Sequence, residues 1–226
     1  GLHFLVVPDA STRLALMRTR KVDYAQVGGT PRDMQTLLRT NPDLQIYALP
    51  GSGIHQVVAF QLNNPMWADI NARRALALAT DGQGISNVVY EGVGMPMDKY
   101  EWWYWSDVMP SWEGDLDAMY GEYNNHTDVA RAQELWDKTG LGEITLDLPY
   151  YAYSQAYNDI MGVLADDWRK IGISLNAKSQ DYSAYNSTLQ ASSTDQLIYA
   201  WQQQAYDAVG VTSTRLRTGA PGNREN

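Results

Sequence analysis

The chain has 226 residues, enough for one large core or two small ones, a formal net charge of −9 and 19% charged residues. That acidic balance, with no basic stripe, excludes a phosphate-backbone partner, so no nucleic acid is expected. The absence of cysteine excludes disulfides, thiolate catalysis and cysteine-based zinc sites. Fifteen Tyr and eight Trp against two Phe give most aromatic rings a polar handle, which suits half-wet positions.

HFLVVPD reads as a strand halted by Pro8, with Ser11 or Thr12 capping a helix to about Arg20. VDYAQVG is a second short apolar run. Thr30 followed by Pro31 is a favoured helix start, here for PRDMQTLLRT. LQIYALP and HQVVAFQLN are strand candidates, the latter by alternation. Asp69 stands as N-cap of a helix with Ile70, Ala72, Ala75, Leu76 and Ala79 on one broad face. Gly82 and Gly84 loosen its end, and Ile85, Val88 and Val89 continue on a second helical turn.

From Gly92 to Tyr123 the chain has little periodicity. A structureless stretch of about 30 residues is uncommon in a compact domain and often functional. It carries Trp102, Trp103, Trp105 and Trp112, whose rings call for a cover, either the core or a ligand; both readings stay open here.

The remainder is more regular. Thr127 is read as the cap of a helix through Lys138, stopped by Gly140. ITLDLPYY is a strand with Ile144, Leu146 and Leu148 on one face. Ser154 opens a long helix ended by Gly172, with Trp168 in its core stripe, as Trp136 is in the helix before. ISLNAK is the next strand, Tyr182–Gln190 a helix and QLIYAW a strand. That alternation predicts an α/β unit with part of its sheet parallel.

No motif of covalent chemistry is present. Asp166 with Asp167, and Asp115 with Asp117, are too close in sequence to face each other as catalytic pairs. The acids Glu113, Asp115 and Asp117 lack the central Gly and closing Glu of a calcium loop. His3, His55 and His126 have no partner at metal spacing, so neither a metal nor a cofactor is expected. Arg73, Arg74, Asp69 and Asp81 read as ion pairs rather than a phosphate clamp.

Three segments, in order, resemble the family 5 extracellular solute-binding proteins, the oligopeptide, dipeptide and nickel-binding type that serve ABC importers. DASTRLALMRTRKVDYAQV is similar to the family's helix leading into "gevDia", with Asp23 at its Asp. NNPMWADINARRALALATDGQGISNVVYEGVG resembles "N…pPf.D.rvRqAl.yAiDr..Iv..v..G.g", with Asp69, Arg73, Ala75, Leu76, Ala79, Asp81, Ile85 and Gly92 on its positions. HTDVARAQELWDKTGL is similar to "d.ekAkeLLaeaGy".

The resemblance implies a periplasmic-binding-protein-like α/β fold of type II with two lobes. Residues 1–60 would form the tail of the first lobe and the crossing. Residues 61–226 would form a second, ligand-binding lobe, a mixed sheet flanked by helices and truncated at its end. It also implies a monomer outside the cytoplasm, lipid-anchored in the full-length protein. That receptor would bind a peptide or other small polar solute, deliver it to membrane permease subunits and perform no catalysis. No signal peptide is visible in GLHFLVV or after it, and the polar ending TGAPGNREN fits a piece of a longer protein.

In peptide-binding relatives a loop of the form "W.gDy.Dp" supplies an Asp to the peptide's ammonium. The counterpart here is AWQQQAYDAVG, with Trp201 at the Trp, Gln204 in place of that Asp, and Asp207 at the second one. A neutral amide leaves an ammonium uncompensated in a closed cleft, which is costly. Gln204 beside a Trp-rich loop suits a neutral polar solute, an oligosaccharide included. The expected ligand-facing residues are Trp201, Gln204 and Asp207, then Trp102, Trp103 and Trp105, with Asn63 and Asn64 near the crossing. The rival reading is a glycan-active enzyme or carbohydrate-binding domain; an enzyme would need two carboxylates at a defined separation.

Overall fold

The computed structural model describes residues 1–25, 30–46, 54–62, 64–92, 127–191 and 197–203. Helix α1 (Ala10–Arg18) begins two or three residues earlier than a cap at Ser11 or Thr12 would allow, because Asp9 is its N-cap. One Asp9 oxygen accepts from the Thr12 N–H at 2.7 Å and from the Ser11 and Thr12 hydroxyls, so the two expected caps serve the real one. Helix α2 (Pro31–Thr40) starts as its sequence says, with Thr30 and Asp33 in a reciprocal capping box and Pro31 at the first position. The expected strand at HFLVV is absent. Residues 1–9 have no regular secondary structure and pair with none of the described strands, and Phe4 is 88% exposed. Extended backbone becomes a strand only when a neighbour takes its N–H and C=O groups. The run LQIYALP is irregular through Ile46, and Tyr47–Pro50 lie outside the described residues, as do Gln26–Gly29 of VDYAQVG.

Strand β1 (Ile54–Phe60) pairs antiparallel with β4 (Leu197–Gln203), Ile54 opposite Gln203 and Phe60 opposite Leu197. Strand β2 (Ile144–Tyr151) pairs parallel with β3 (Ile173–Gln180), Ile144 opposite Ile173 and Tyr151 opposite Gln180. β2 also lies close to β4, so the parallel and the antiparallel pair adjoin while remaining two separate ladders. The β2–β3 connection is a helix, α7 (Gln155–Arg169), as parallel strands require.

The other helices are α3 (Pro65–Ala68), α4 (Ile70–Ala79), α5 (Gly82–Tyr90), α6 (Val129–Thr139) and α8 (Tyr182–Ala191). On α4 the small-residue face is buried as expected, except that Ile70 is 45% exposed and Leu78 takes its place inside. On α5, Val89 is buried while Val88 is 71% exposed. Gly82 and Gly84 do not fray α4; they open α5, whose N-cap Asp81 accepts from the Gly84 N–H at 2.7 Å. A glycine is needed there because a Cβ on Gly84 would stand 2.5 Å from the Asp81 carboxylate.

α6 is capped by Asp128 rather than Thr127, whose hydroxyl instead donates to the Thr80 carbonyl at 3.2 Å. It ends at Gly140 in the left-handed region at φ 71°. Ser154 precedes α7 as expected but makes no side-chain capping bond.

The main core gathers Trp67, the α4 face, Trp136, Leu146, Leu148, the α7 stripe and Ile173. Trp136 and Trp168 are both core residues, with indole N–H groups donated to the Gly142 carbonyl at 2.8 Å and the Thr80 hydroxyl at 2.9 Å. Asp167, 4% exposed, accepts from the Asp81 N–H at 2.9 Å and from Lys170 at 2.8 Å, fastening α7 to the α4–α5 turn. Asp166 points the other way and pairs with Arg169 at 2.9 Å. The expected pairing of Arg73 with Asp69 or Asp81 is not what forms. Arg73 donates to the Trp67 and Ala68 carbonyls at the end of α3, and both aspartates cap helices.

No residue of 1–46 belongs to either core cluster among the described residues. That segment packs on itself: α1 lies against α2, Asn41 donates to the Arg18 carbonyl at 3.1 Å, and Arg20 pairs with Asp43 at 2.7 Å.

Candidate functional site

Parallel strands leave a crevice beyond their carboxyl ends, and ligands of open α/β sheets bind there. In this chain β2 and β3 end together at Tyr151 and Gln180, and α7 and α8 begin just beyond them. Tyrosines crowd that edge. The Tyr151 ring lies 5.4 Å from Tyr182, edge-on, 6.1 Å from Tyr153 and 6.2 Å from Tyr185. Tyr182 is 55% exposed and Tyr151 and Tyr153 are half-buried, so this end of the cluster presents aromatic surface. Aromatic faces of this kind accept sugar C–H surfaces, other rings and cations.

Behind the edge the tyrosines become structural. Tyr153 meets Tyr157 edge-on at 6.1 Å, and Tyr157 meets Tyr199 edge-on at 5.8 Å. The Tyr199 hydroxyl donates to the Gln56 carbonyl oxygen at 2.6 Å, and the Gln56 amide donates to the Tyr90 hydroxyl at 2.5 Å. Tyr185 donates to the Tyr199 carbonyl at 3.0 Å. Burial pushes the Tyr199 and Tyr157 phenols far up, reinforced by neighbouring tyrosines, and burial raises Tyr90 against the pull of Gln56. These hydroxyls therefore stay protonated at any physiological pH, and the network ties β1, β4 and α5 into one rigid backing.

Arg13 of α1 reaches the same edge. Its guanidinium carbon stands 5.6 Å from the centre of the Tyr153 ring, and Nη2 is 3.5 Å from the Tyr153 hydroxyl. Nη1 donates to the Val7 and Pro8 carbonyls at 2.8 and 2.6 Å.

Of the residues expected from sequence, Trp102, Trp103, Trp105, Asn63, Gln204 and Asp207 lie outside the described residues. The Trp201 backbone is in β4, opposite Gln56. Asn64 is the N-cap of α3, its side-chain oxygen accepting from the Met66 N–H at 2.9 Å, so it has a local structural task. The tyrosine edge was not among the expected site residues. Its signal was present in YYAY and DYSAY, two tyrosine-rich runs at the ends of consecutive strands. It becomes a cluster only when those strands pair parallel. Among the described residues no three His, Cys, Asp or Glu side chains converge as a metal site, and no helix is long and apolar enough to cross a membrane.

The fold is mixed α/β and matches part of the type II periplasmic binding proteins. The chain belongs to the bacterial extracellular solute-binding proteins, family 5 Middle, whose profile matches residues 1–223. Among characterised relatives it is 24% identical over 210 residues to the di/tripeptide-binding protein 3 of Pseudomonas aeruginosa. The match takes in 89% of this chain but only 36% of that protein, so the chain spans little more than a third of its relative's length. Among solved structures it resembles AgaA from A. tumefaciens R10 in complex with agropinic acid, at TM-score 0.73 and 17% identity over 92% of this chain and 40% of that one. It also resembles NikA from Staphylococcus aureus in complex with Ni(L-His)2, at TM-score 0.72 and 16% identity over 97% of this chain and 44% of that one.

Proposed function

We propose that the chain is part of the substrate-binding component of an ABC importer, capturing a peptide or other small polar solute between two lobes. Residues 1–60 are then the tail of the first lobe with β1 as the crossing, and residues 61–226 supply the second lobe. The observation that carries this reading is the tyrosine edge at the carboxyl ends of β2 and β3, open to one side and faced by α1. A family of binding proteins, rather than enzymes, supports capture without turnover.

The ligand would bind the closed form better and shift an existing open–closed equilibrium toward it. The closed receptor would then dock on the permease subunits, outside the cytoplasm and held near the membrane by a lipid anchor. Trp201, Gln204 and Asp207, with the Trp102, Trp103 and Trp105 loop and Asn63 and Asn64 at the crossing, complete the proposed ligand-facing set. Relatives described as binding di- and tripeptides, agropinic acid and Ni(L-His)2 share this fold, so the solute must be argued from the site. Gln204 in the place of an ammonium-binding Asp, together with exposed tyrosine faces, favours a neutral polar solute such as an oligosaccharide over a simple peptide.

Calorimetry on the intact protein with a defined di- and tripeptide mixture and an oligosaccharide panel tests this. A chromogenic-glycoside release assay runs beside it. Saturable binding without release is expected. Release of chromophore, or no heat from either panel, would overturn the receptor reading; tight peptide binding with no sugar response would overturn the solute preference alone.

A further inference from the structure

Residues 1–46 share no core with the rest of the described chain, yet Arg13 crosses to the tyrosine edge. The contact is mainly a cation over a ring face, since 3.5 Å to the Tyr153 hydroxyl is long for a hydrogen bond. Arg13 is also fixed from behind, because Nη1 is held by two carbonyls of its own segment. A guanidinium held by its own segment on one side and resting on the far body's ring on the other transmits position. Tyr153 then hands that position inward through Tyr157 to Tyr199 and Gln56 on the crossing strand. A second, exposed contact, Arg32 to Glu91 at 3.4 Å, joins the same two bodies but is screened by solvent.

We propose that Arg13 is a positioning residue for ligand capture: through the Tyr153 face it holds the 1–46 body against the tyrosine edge, so that it sets how readily the two bodies close on a solute. This rests on the two-lobe receptor reading. It assigns to Arg13 no contact with the ligand; the guanidinium acts through Tyr153.

The 226 residues contain no cysteine, so spin labels at Leu38→Cys on α2 and Asp166→Cys on α7 report the distance between the bodies in the intact protein. Without ligand, Arg13→Ala and Tyr153→Leu should both broaden the distance distribution and move it to longer values. Tyr153→Leu leaves the Arg13 bonds to Val7 and Pro8 intact, which separates loss of the cross-contact from local unfolding of α1. Tyr153→Phe keeps the ring and should match the parent, and Arg13→Lys should restore part of the shift. If a member of the di- and tripeptide mixture or oligosaccharide panel binds, Arg13→Ala should weaken it about tenfold, within the range such a contact spans.

Superimposable distributions for the parent, Arg13→Ala and Tyr153→Leu would overturn the proposal. So would a Tyr153→Phe shift as large as that of Tyr153→Leu. A distribution that responds to Arg13 while neither panel binds sinks the receptor reading, and with it the part in capture, and leaves only the Arg13–Tyr153 contact as a brace between the two bodies. Binding unchanged by Arg13→Ala sinks the role and leaves the receptor.

Discussion

The two bodies of this chain are built on opposite terms. The larger one, from β1 to β4, is a dense interior of fully buried Trp and aliphatic side chains wrapped by helices that share a core. The smaller one, residues 1–46, has Met17 and Leu37 as its buried apolar side chains among the described residues, with Leu2, Phe4 and Val6 left in the open. Both have good local helix signals, so local signals do not separate them. What differs is whether each apolar face has a partner within these residues. Most helical stability in proteins comes from packing of that kind rather than from propensity.

The sharpest way to break the contrast is to truncate a core residue in each body. Trp168→Ala removes a buried ring and the hydrogen bond that holds Thr80, and should destabilise the larger body by about 4 kcal/mol. Denaturant unfolding monitored by near-ultraviolet circular dichroism reads it; a change below about 1 kcal/mol would mean that the core is not continuous. Leu37→Ala should cost the smaller body about 2 kcal/mol and leave amide exchange in α4, α6 and α7 untouched. Faster exchange in both bodies would show them to be one cooperative unit.

A smaller effect tests the turn that holds the larger body together. Gly84→Ala should destabilise by about 1 kcal/mol although Ala is the better helix former, because its Cβ displaces the Asp81 cap. A gain in stability would show that the carboxylate can swing aside without loss.

The smallest effect lies at Asp9. The Thr12 hydroxyl first, then Ser11 and the Thr12 N–H, hold its carboxyl down to about 2. Its folded value is below the unfolded one, so its contribution is present above the ordinary 3.8 and is lost as pH falls through about 2. A carboxyl chemical-shift titration should find a midpoint near 2; one at or above 3.8 would contradict the cap.

Much of the larger body was legible in the sequence because its signals are local: Asp69, Gly140 and the Leu146–Leu148 alternation all mark what they indicate. The family could be read for a related reason, since three ordered segments suffice. Caps were misplaced by two or three residues where several candidates adjoin, as at Asp9, Ser11 and Thr12. The strand at HFLVV failed because strand formation depends on a neighbour, and none of the described strands pairs with it. The tyrosine edge escaped for the same reason: Tyr151 and Tyr182 meet only because β2 and β3 pair parallel and end together, and neither tyrosine-rich run announces that pairing by itself. Gln204 illustrates the converse, a residue singled out by comparison with a motif whose placement is still a proposal.

The most direct test of solute capture at the tyrosine edge is hydrogen–deuterium exchange on the intact protein. It is recorded with and without a saturating ligand drawn from the peptide and oligosaccharide panels. The expected result is new protection in segments 149–154 and 180–185 and in α1, with the buried centres of α4 and α7 unchanged. Protection that spares both segments while the ligand is bound would place the solute elsewhere and contradict the site.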